Sequence, residues 1–450
     1  MLALVGAAWC ASASGNPFYP APGSPLKADD PQSLALGDVN GDGHPDLVVG
    51  VSVLLGTGTG TFAPAPGSPL KAGRDPGSLA LADFNGDGHR DLVVANGYSG
   101  YVSVLLGAGT GAFAPAPGSP FKVGKGPTSV AVSDLNGDEH PDVAVANFDS
   151  SDVSVLLGIG TGAFASAHGS PLRVGKGPIS VALGNLNADQ HPDLAVVNIS
   201  SQDVSVLLGT GTGTFAPAPG SPIKAGRGPS SVALGDLNAD RHPDLAVANF
   251  GSGDVSLLLG TGTGAFAPAR GSPFKAGKYP IALALGDLNA DQHPDLAVAN
   301  NGSGDVSLLL GTGTGAFAPA RGSPLKTRKG SMAVVLGDLN SDQRPDLAVA
   351  SNDLLRHDLA LARNVTVLLN SVRCVVPTLT HTSLARARRV LTRADCSLGS
   401  VRKPHRRRRG GGLVVVAQNP RAGRVLRAGS PIAVRLAPRA SVTPARRRGS

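Results

Sequence analysis

A nine-residue cassette, in its fullest form D-x-N-x-D-x-H-x-D, recurs seven times in this chain, starting at Asp38, Asp83, Asp134, Asn185, Asp236, Asp287 and Asp338. The starts lie 45 residues apart once and 51 residues apart five times. A period of this size means one small supersecondary unit copied in series, each copy completing its neighbour's core. The alternating oxygen-bearing side chains bend a loop so that they converge on one point, as a hard cation with oxygen ligands requires.

Residues 229–280 serve as the type unit. Alternating Val and Leu with small residues between predict strands over 231–235, 244–249 and 255–259, with a fourth around 265–275. Four short strands, apolar on both faces and rich in Ala and Gly, describe a sheet stacked between two similar sheets, which is a propeller blade. The abundance of glycine (61 residues) and the low aromatic content (4%) suit such strands and tight turns.

Closure is legible too. The segment "NPFYPAPGSPLKA" (16–28) matches the fourth-strand segment "GTFAPAPGSPLKA" (60–72), yet no cassette precedes it, and the seventh cassette is followed by two strands ending in "NVTVLLN". Phe18 to Lys27 is therefore expected to supply the outer strand of the last blade. Blade 1 lacks six residues between its second and third strands ("DLVVGVSVLLG"), so that loop should be short.

These cassettes resemble the FG-GAP, or VCBS-type, repeats of integrin alpha-chain heads and many secreted bacterial propellers, over about residues 16–370. The resemblance implies an all-β, seven-bladed beta-propeller. It implies calcium bound through positions one, three, five and nine, with a main-chain carbonyl from position seven. The implied ligands are Asp38, Asn40, Asp42 and Asp46; Asp83, Asn85, Asp87 and Asp91; Asp134, Asn136, Asp138 and Asp142; and Asn185, Asn187, Asp189 and Asp193. The last three sets are Asp236, Asn238, Asp240 and Asp244; Asp287, Asn289, Asp291 and Asp295; and Asp338, Asn340, Asp342 and Asp346. Position six is Gly only in the first two copies (Gly43, Gly88), which should weaken the other sites if the loop needs positive φ there. Asn185 removes a carboxylate from the fourth site, which is expected to be the weakest.

The other motifs are weaker. The histidine at position seven of six cassettes is read as lending its carbonyl and leaving its ring to solvent. Runs such as "GTGTGAF" lie between strands and read as hairpin turns, not phosphate loops. No catalytic set stands out. Arg74, Lys125, Lys176, Arg227, Lys278 and Lys329 occupy equivalent positions between blades, on the face opposite the acidic loops, and form a basic crown suited to an anionic ligand or merely to solubility. Tyr98, Tyr101 and Tyr279 are too few to announce a sugar site, and the repeated Phe residues are assigned to the core.

Charge divides the chain. The first 370 residues carry about ten more acidic than basic residues, whereas the remainder holds 19 Lys or Arg against Asp395 alone. Residues 1–15 form a signal-like segment with no basic residue, consistent with an extracellular or cell-envelope protein. Residues 374–437 resemble a PASTA domain, through Val376, Pro377, Leu379, Leu384, Leu391, Gly399, Val401, Gln418, Pro420, Gly423, Gly429 and Val434. That likeness implies a small α+β module with peptidoglycan as a candidate partner, followed by a basic tail at 438–450. In an exported protein Cys374 and Cys396 are expected to pair, two reduced cysteines being the alternative. Nothing suggests nucleic acid or a membrane span. The sequence thus reads as a monomeric calcium-binding propeller acting in binding or adhesion, with a polysaccharide-directed enzyme or a purely structural surface protein as alternatives.

Overall fold

The computed structural model describes residues 18–73, 75–353, 363–370, 373–375, 378–393, 397–404, 413–422, 425–427 and 431–438. Two compact units divide at Leu369 and Asn370.

The first unit is a ring of seven antiparallel sheets. Blade 5 shows the pattern: Pro229–Gly235, Asp244–Asn249 and Asp254–Gly260 lie side by side, and the outer strand comes in two pieces, Phe266–Pro268 and Phe274–Lys275. Sequence periodicity finds the three inner strands and treats the outer one as continuous. A turn interrupts it, and the Ser272 hydroxyl accepts from Leu257 N–H at 2.8 Å where the missing ladder carbonyl would stand. The same serine bridge recurs from Ser68 to Val53, Ser119 to Val104, Ser170 to Val155 and Ser221 to Val206.

The alternation of side-chain size in the second strand decides how blades stack. Along Asp142–Asn147, Val143 and Val145 pack towards blade 2, while Ala144 and Ala146 receive Leu194 and Val196 of blade 4. All four are fully buried. Large against small lets closely spaced sheets interdigitate without voids. Hydrogen bonds reinforce the stacking: Gly162 N–H donates to Phe84 O of the preceding blade at 2.9 Å, and Gly213 N–H to Leu135 O at 2.9 Å.

The chain closes the ring as the sequence predicts. Phe18–Pro20 and Leu26–Lys27 both pair with Arg363–Asn370, the third strand of blade 7. Ala21 N–H donates to Val367 O at 2.9 Å, and Ser24 Oγ accepts from Val367 N–H at 3.0 Å, repeating the serine bridge across 343 residues of sequence. Between blades 7 and 1, Leu47 and Val49 pack on Ala348 and Ala350, and Gly60 N–H reaches Leu339 O at 2.9 Å. In blade 1 the short loop reduces to Gly50 and Val51 between Asp46–Val49 and Ser52–Gly56.

The second unit has a helix, α1 (Leu384–Arg393), which follows the Ser383 cap and buries Ala387 and Leu391 against Val415, Ile432, Val434 and Leu436. Ser397–Arg402 runs parallel to Pro431–Pro438, which is also paired antiparallel with Leu413–Asn419, while Arg373–Val375 pairs with Val425–Arg427. Helical spacing exposes α1 in the sequence; the strand at Ser397–Arg402 carries no such pattern and is new here. Cys396, the 1–15 segment and the tail beyond Pro438 lie outside the described residues.

Deleting residues 16–28 should lower the melting temperature by several degrees and promote self-association through the bared edge of Arg363–Asn370; an unchanged melt would show that the closing strand contributes nothing.

Candidate metal loops and the face opposite them

Each cassette joins the first and second strands of its blade, where the chain must reverse within nine residues. Position nine begins the second strand and is fully buried in all seven copies. Its carboxylate laces three segments together. Asp142 accepts from Leu135 N–H at 2.7 Å within its own loop and from Gly158 N–H at 2.7 Å at the end of the third strand. Asp46, Asp91, Asp193, Asp244 and Asp295 repeat both bonds at 2.6 to 2.8 Å. Asp346 accepts from Leu339 N–H at 2.9 Å.

Positions one, three and five are half-buried to exposed and fold onto the loop's own backbone. Asp38 accepts from Gly41 N–H at 2.7 Å and Gly43 N–H at 2.8 Å, Asn40 from Asp42 N–H at 3.1 Å, and Asp42 from His44 N–H at 2.8 Å. Asp83, Asp134, Asp236, Asp287 and Asp338 make the bond to position six in the same way. Asn185 retains only the bond from Asp189 N–H, at 3.1 Å, so the fourth loop has one clasp fewer. Among the described residues no three acidic or histidine side chains are gathered closely enough to hold an ion.

The donors nevertheless suit calcium in kind: all are hard oxygens, carboxylates predominate, and the carboxylates repel one another. Burial pushes Asp142 and Asp295 up to about 6, aided by the charges at positions five and one of the same loops. Asp46, Asp91, Asp193 and Asp244 are raised by the same burial. A bound cation would reverse that penalty. The backbone N–H of His44 holds Asp42 below the usual range, as that of His242 does for Asp240.

Backbone strain separates the loops. Position six has positive φ throughout, from Gly43 at 79° to Glu139 at 67° and Gln343 at 65°. Position four does too, and the sequence reading missed it: Gly41, Gly86 and Gly137 give way to Ala188 (64°), Ala239 (63°), Ala290 (62°) and Ser341 (60°). Loops four to seven thus hold two non-glycine residues in the left-handed region, at about 1 kcal/mol each.

The histidines face solvent as expected, His89, His140 and His191 being exposed and His44, His242 and His293 half-buried, and each also lies against a hairpin glycine: a Cβ on Gly160, at φ 71°, would collide with His140. Gly58, Gly109, Gly211, Gly262 and Gly313 stand the same way to His44, His89, His191, His242 and His293. Blade 7 draws its outer strand from the N-terminus, lacks this hairpin, and carries Arg344 instead. The GTGTG pattern thus serves ring packing as well as turn geometry.

At the other end of the blades, inter-blade linkers meet the hairpins between second and third strands. Lys125 N–H donates to Ser150 Oγ at 3.0 Å and Phe148 N–H to Gly126 O at 2.7 Å. Lys125, Lys176, Arg227, Lys278 and Lys329 are all exposed there, while Arg74 lies outside the described residues. Tyr98, Tyr101, Phe148 and Tyr279 are exposed on this face as well, and Phe250 stacks on Tyr279; neither Phe148 nor Phe250 fills the core.

A ring of seven four-stranded blades, each turned by an acidic loop, defines a repeat propeller. The FG-GAP-like repeat model matches residues 50–94, 83–145, 134–196, 185–247, 236–298 and 287–349, and the FG-GAP repeat matches 31–61; the chain belongs to the FG-GAP repeat family. No curated protein matches it. Among similar solved structures, a 6-phosphogluconolactonase candidate from Bacteroides uniformis is 13% identical with a TM-score of 0.51, over 70% of this chain and 90% of that one. A Lactobacillus plantarum protein is 19% identical with a TM-score of 0.49, over 70% and 89%. Virginiamycin B lyase from Staphylococcus aureus is 11% identical with a TM-score of 0.46, over 78% and 99%. These likenesses concern the fold.

Two measurements probe the loops. Gly169, also at positive φ (82°), has open space where its Cβ would go, so Gly169→Ala should cost only about 1 kcal/mol. Gly160→Ala should cost more, and the excess should vanish in combination with His140→Ala; additive losses would refute the packing role. In calcium-free protein, the folded state keeps protons on Asp142 and Asp295 up to about pH 6, whereas an unfolded aspartate loses them near 3.8. The folded state binds more protons in that window, so melting temperature should rise as pH falls from 7 towards 5. A falling melting temperature over that range would contradict it.

Proposed function

We propose that this chain is a secreted or cell-envelope binding and adhesion module, its ring stapled by calcium and its opposite face offered to an anionic polymer. The observation that carries the reading is the crown of exposed linker cations on the face away from the acidic loops. Long-range attraction to a polyanion follows from such a field, and calcium in the loops would sharpen the division of charge between the faces. Calcium would be held by positions one, three, five and nine of each cassette, with the fourth site weakest and sites five to seven weakened by strain. It would neutralise the buried position-nine carboxylates, a structural service and not a chemical one. The second unit is proposed as a PASTA-like attachment domain for peptidoglycan or another anionic wall polymer, and the protein as a monomer. No helix among the described residues is long and apolar enough to cross a membrane.

Extracellular calcium modules bind at roughly 10⁻⁴ to 10⁻³ M, so each occupied site adds about 0.4 to 1.4 kcal/mol at millimolar calcium. Seven sites would raise the melting temperature of the ring by about 4 to 14 °C. The test is calorimetric melting with calcium and with chelator, followed by co-sedimentation with purified cell wall. A rise of this size with salt-sensitive sedimentation is expected; no shift and no bound metal would remove calcium from the account, and failure to sediment would remove the wall.

A further inference from the structure

Within the near-identical repeats, one inter-blade linker places an aromatic residue where the backbone is left-handed. The residue before the strand-opening proline is Gly126, Gly177 and Gly228 in the linkers entering blades 3, 4 and 5, at φ of 65°, 64° and 58°, and Asp75, at 55°, in the linker entering blade 2, aspartate being a residue that tolerates this region. In the linker entering blade 6 it is Tyr279, which keeps the same left-handed backbone at φ 57°. A bulky aromatic side chain is disfavoured in this region, and residues held there against preference concentrate at functional sites.

The surroundings fit the ring. Phe250, from the hairpin of blade 5, stacks on Tyr279 with centroids 4.6 Å apart and planes 13° from parallel. Gly302, in the blade 6 hairpin where Asp149 stands in blade 3, lies beside it; a Cβ there would come within 2.5 Å of Tyr279 Cδ2. Lys278 Nζ sits 5.0 Å from the ring centroid and has no carboxylate partner among the described residues. Tyr279 is still 40% exposed. Core packing would bury the ring, and a plain turn is served by glycine or, as in the linker entering blade 2, by aspartate.

We propose that Phe250, Tyr279 and Lys278 form a recognition site for an acidic polysaccharide, one whose sugar rings carry carboxylates. This rests on the anionic-polymer reading above and adds the sugar ring to it. The polarised C–H face of a pyranose packs on the electron-rich face of tyrosine, while its carboxylate engages the Lys278 ammonium already poised over that ring. Asp254, on the same hairpin as Phe250 and anchored by Asn249 and Ser252, is an acceptor for sugar hydroxyls. A sugar ring offers that acceptor vicinal hydroxyl donors and a deoxynucleotide backbone offers none, which sets the sugar polymer ahead of single-stranded DNA.

The experiment is titration of the full-length protein in calcium with short galacturonate oligomers, a neutral galactose oligomer and an oligothymidylate, at raised salt to suppress contacts with the basic tail. The variant is Tyr279→Gly, which restores the residue of the linkers entering blades 3, 4 and 5 and relieves the backbone, so its melting temperature should be unchanged or higher. Galacturonate should bind wild type more tightly than either comparator, and the variant roughly tenfold more weakly, the loss expected for one ring contact together with its cation. Unchanged affinity in Tyr279→Gly, with galacturonate still bound, would overturn this proposal and leave the anionic-polymer reading standing. Absence of galacturonate binding by wild type would overturn this proposal, the anionic-polymer reading then standing or falling on cell-wall sedimentation at low salt, and tighter binding of oligothymidylate would replace the sugar polymer with nucleic acid.

Discussion

Every blade depends on one buried carboxylate. In blades 1 to 6 the aspartate at position nine accepts one backbone N–H from its own loop and a second from the end of the third strand, so one side chain holds a reversal of chain direction against its neighbouring strand. Without it two backbone donors would lie buried and unpaired, a cost of about 1 to 3 kcal/mol for each. The arrangement is not free of tension, because the same carboxylate lies deep and close to other negative charges. Burial raises its affinity for a proton, and a hard divalent cation would relieve the repulsion more completely than a proton does. In the calcium reading proposed above, a structural bond and a metal ligand would be two uses of the same atoms.

Much of this was legible in the sequence because it is written in short-range patterns. Spacing of Asp and Asn locates the loops, alternation of Val and Ala locates the inner strands, and a surplus strand at one end with a deficit at the other reveals the closure. What escaped depends on contacts between segments far apart in sequence. The packing of His140 on Gly160 is one such case; a glycine run alone cannot say which ring it accommodates. Serine bridges within the outer strand were missed for the same reason, since Ser272 gains its meaning only beside Leu257. Phe250 looks like any other phenylalanine until the fold sets it against Tyr279. The signal for that pair was nonetheless present, as a tyrosine where three sibling linkers have glycine and one has aspartate.

The two ends of the blades diverge differently. The acidic loops and the glycine hairpins beside them repeat almost unchanged, since both are tied into the ladder by backbone bonds that allow few side chains. The linkers and hairpins opposite share a backbone but differ in chemistry: Gly97 in blade 2, Phe148 in blade 3, Ile199 in blade 4 and Phe250 in blade 5 occupy one position. One side of the ring is close to symmetric and the other is individual. A partner that distinguishes one blade from another can do so only on the individual side, because a symmetric surface offers the same contacts at every blade.

The closing strand also sets an order of events. Phe18–Pro20 is made some 340 residues before its partner Arg363–Asn370. The blades between can fold as they emerge, each resting on the one before, while the first strand waits with its hydrogen-bonding edge bare. The ribosome must deliver nearly the whole ring before its ends can meet, so the newborn chain passes through a horseshoe with an adhesive strand at one tip. Crowded nascent chains could exchange those tips, which makes the interval before closure, and not the finished ring, the point at which this architecture is most exposed to misassembly.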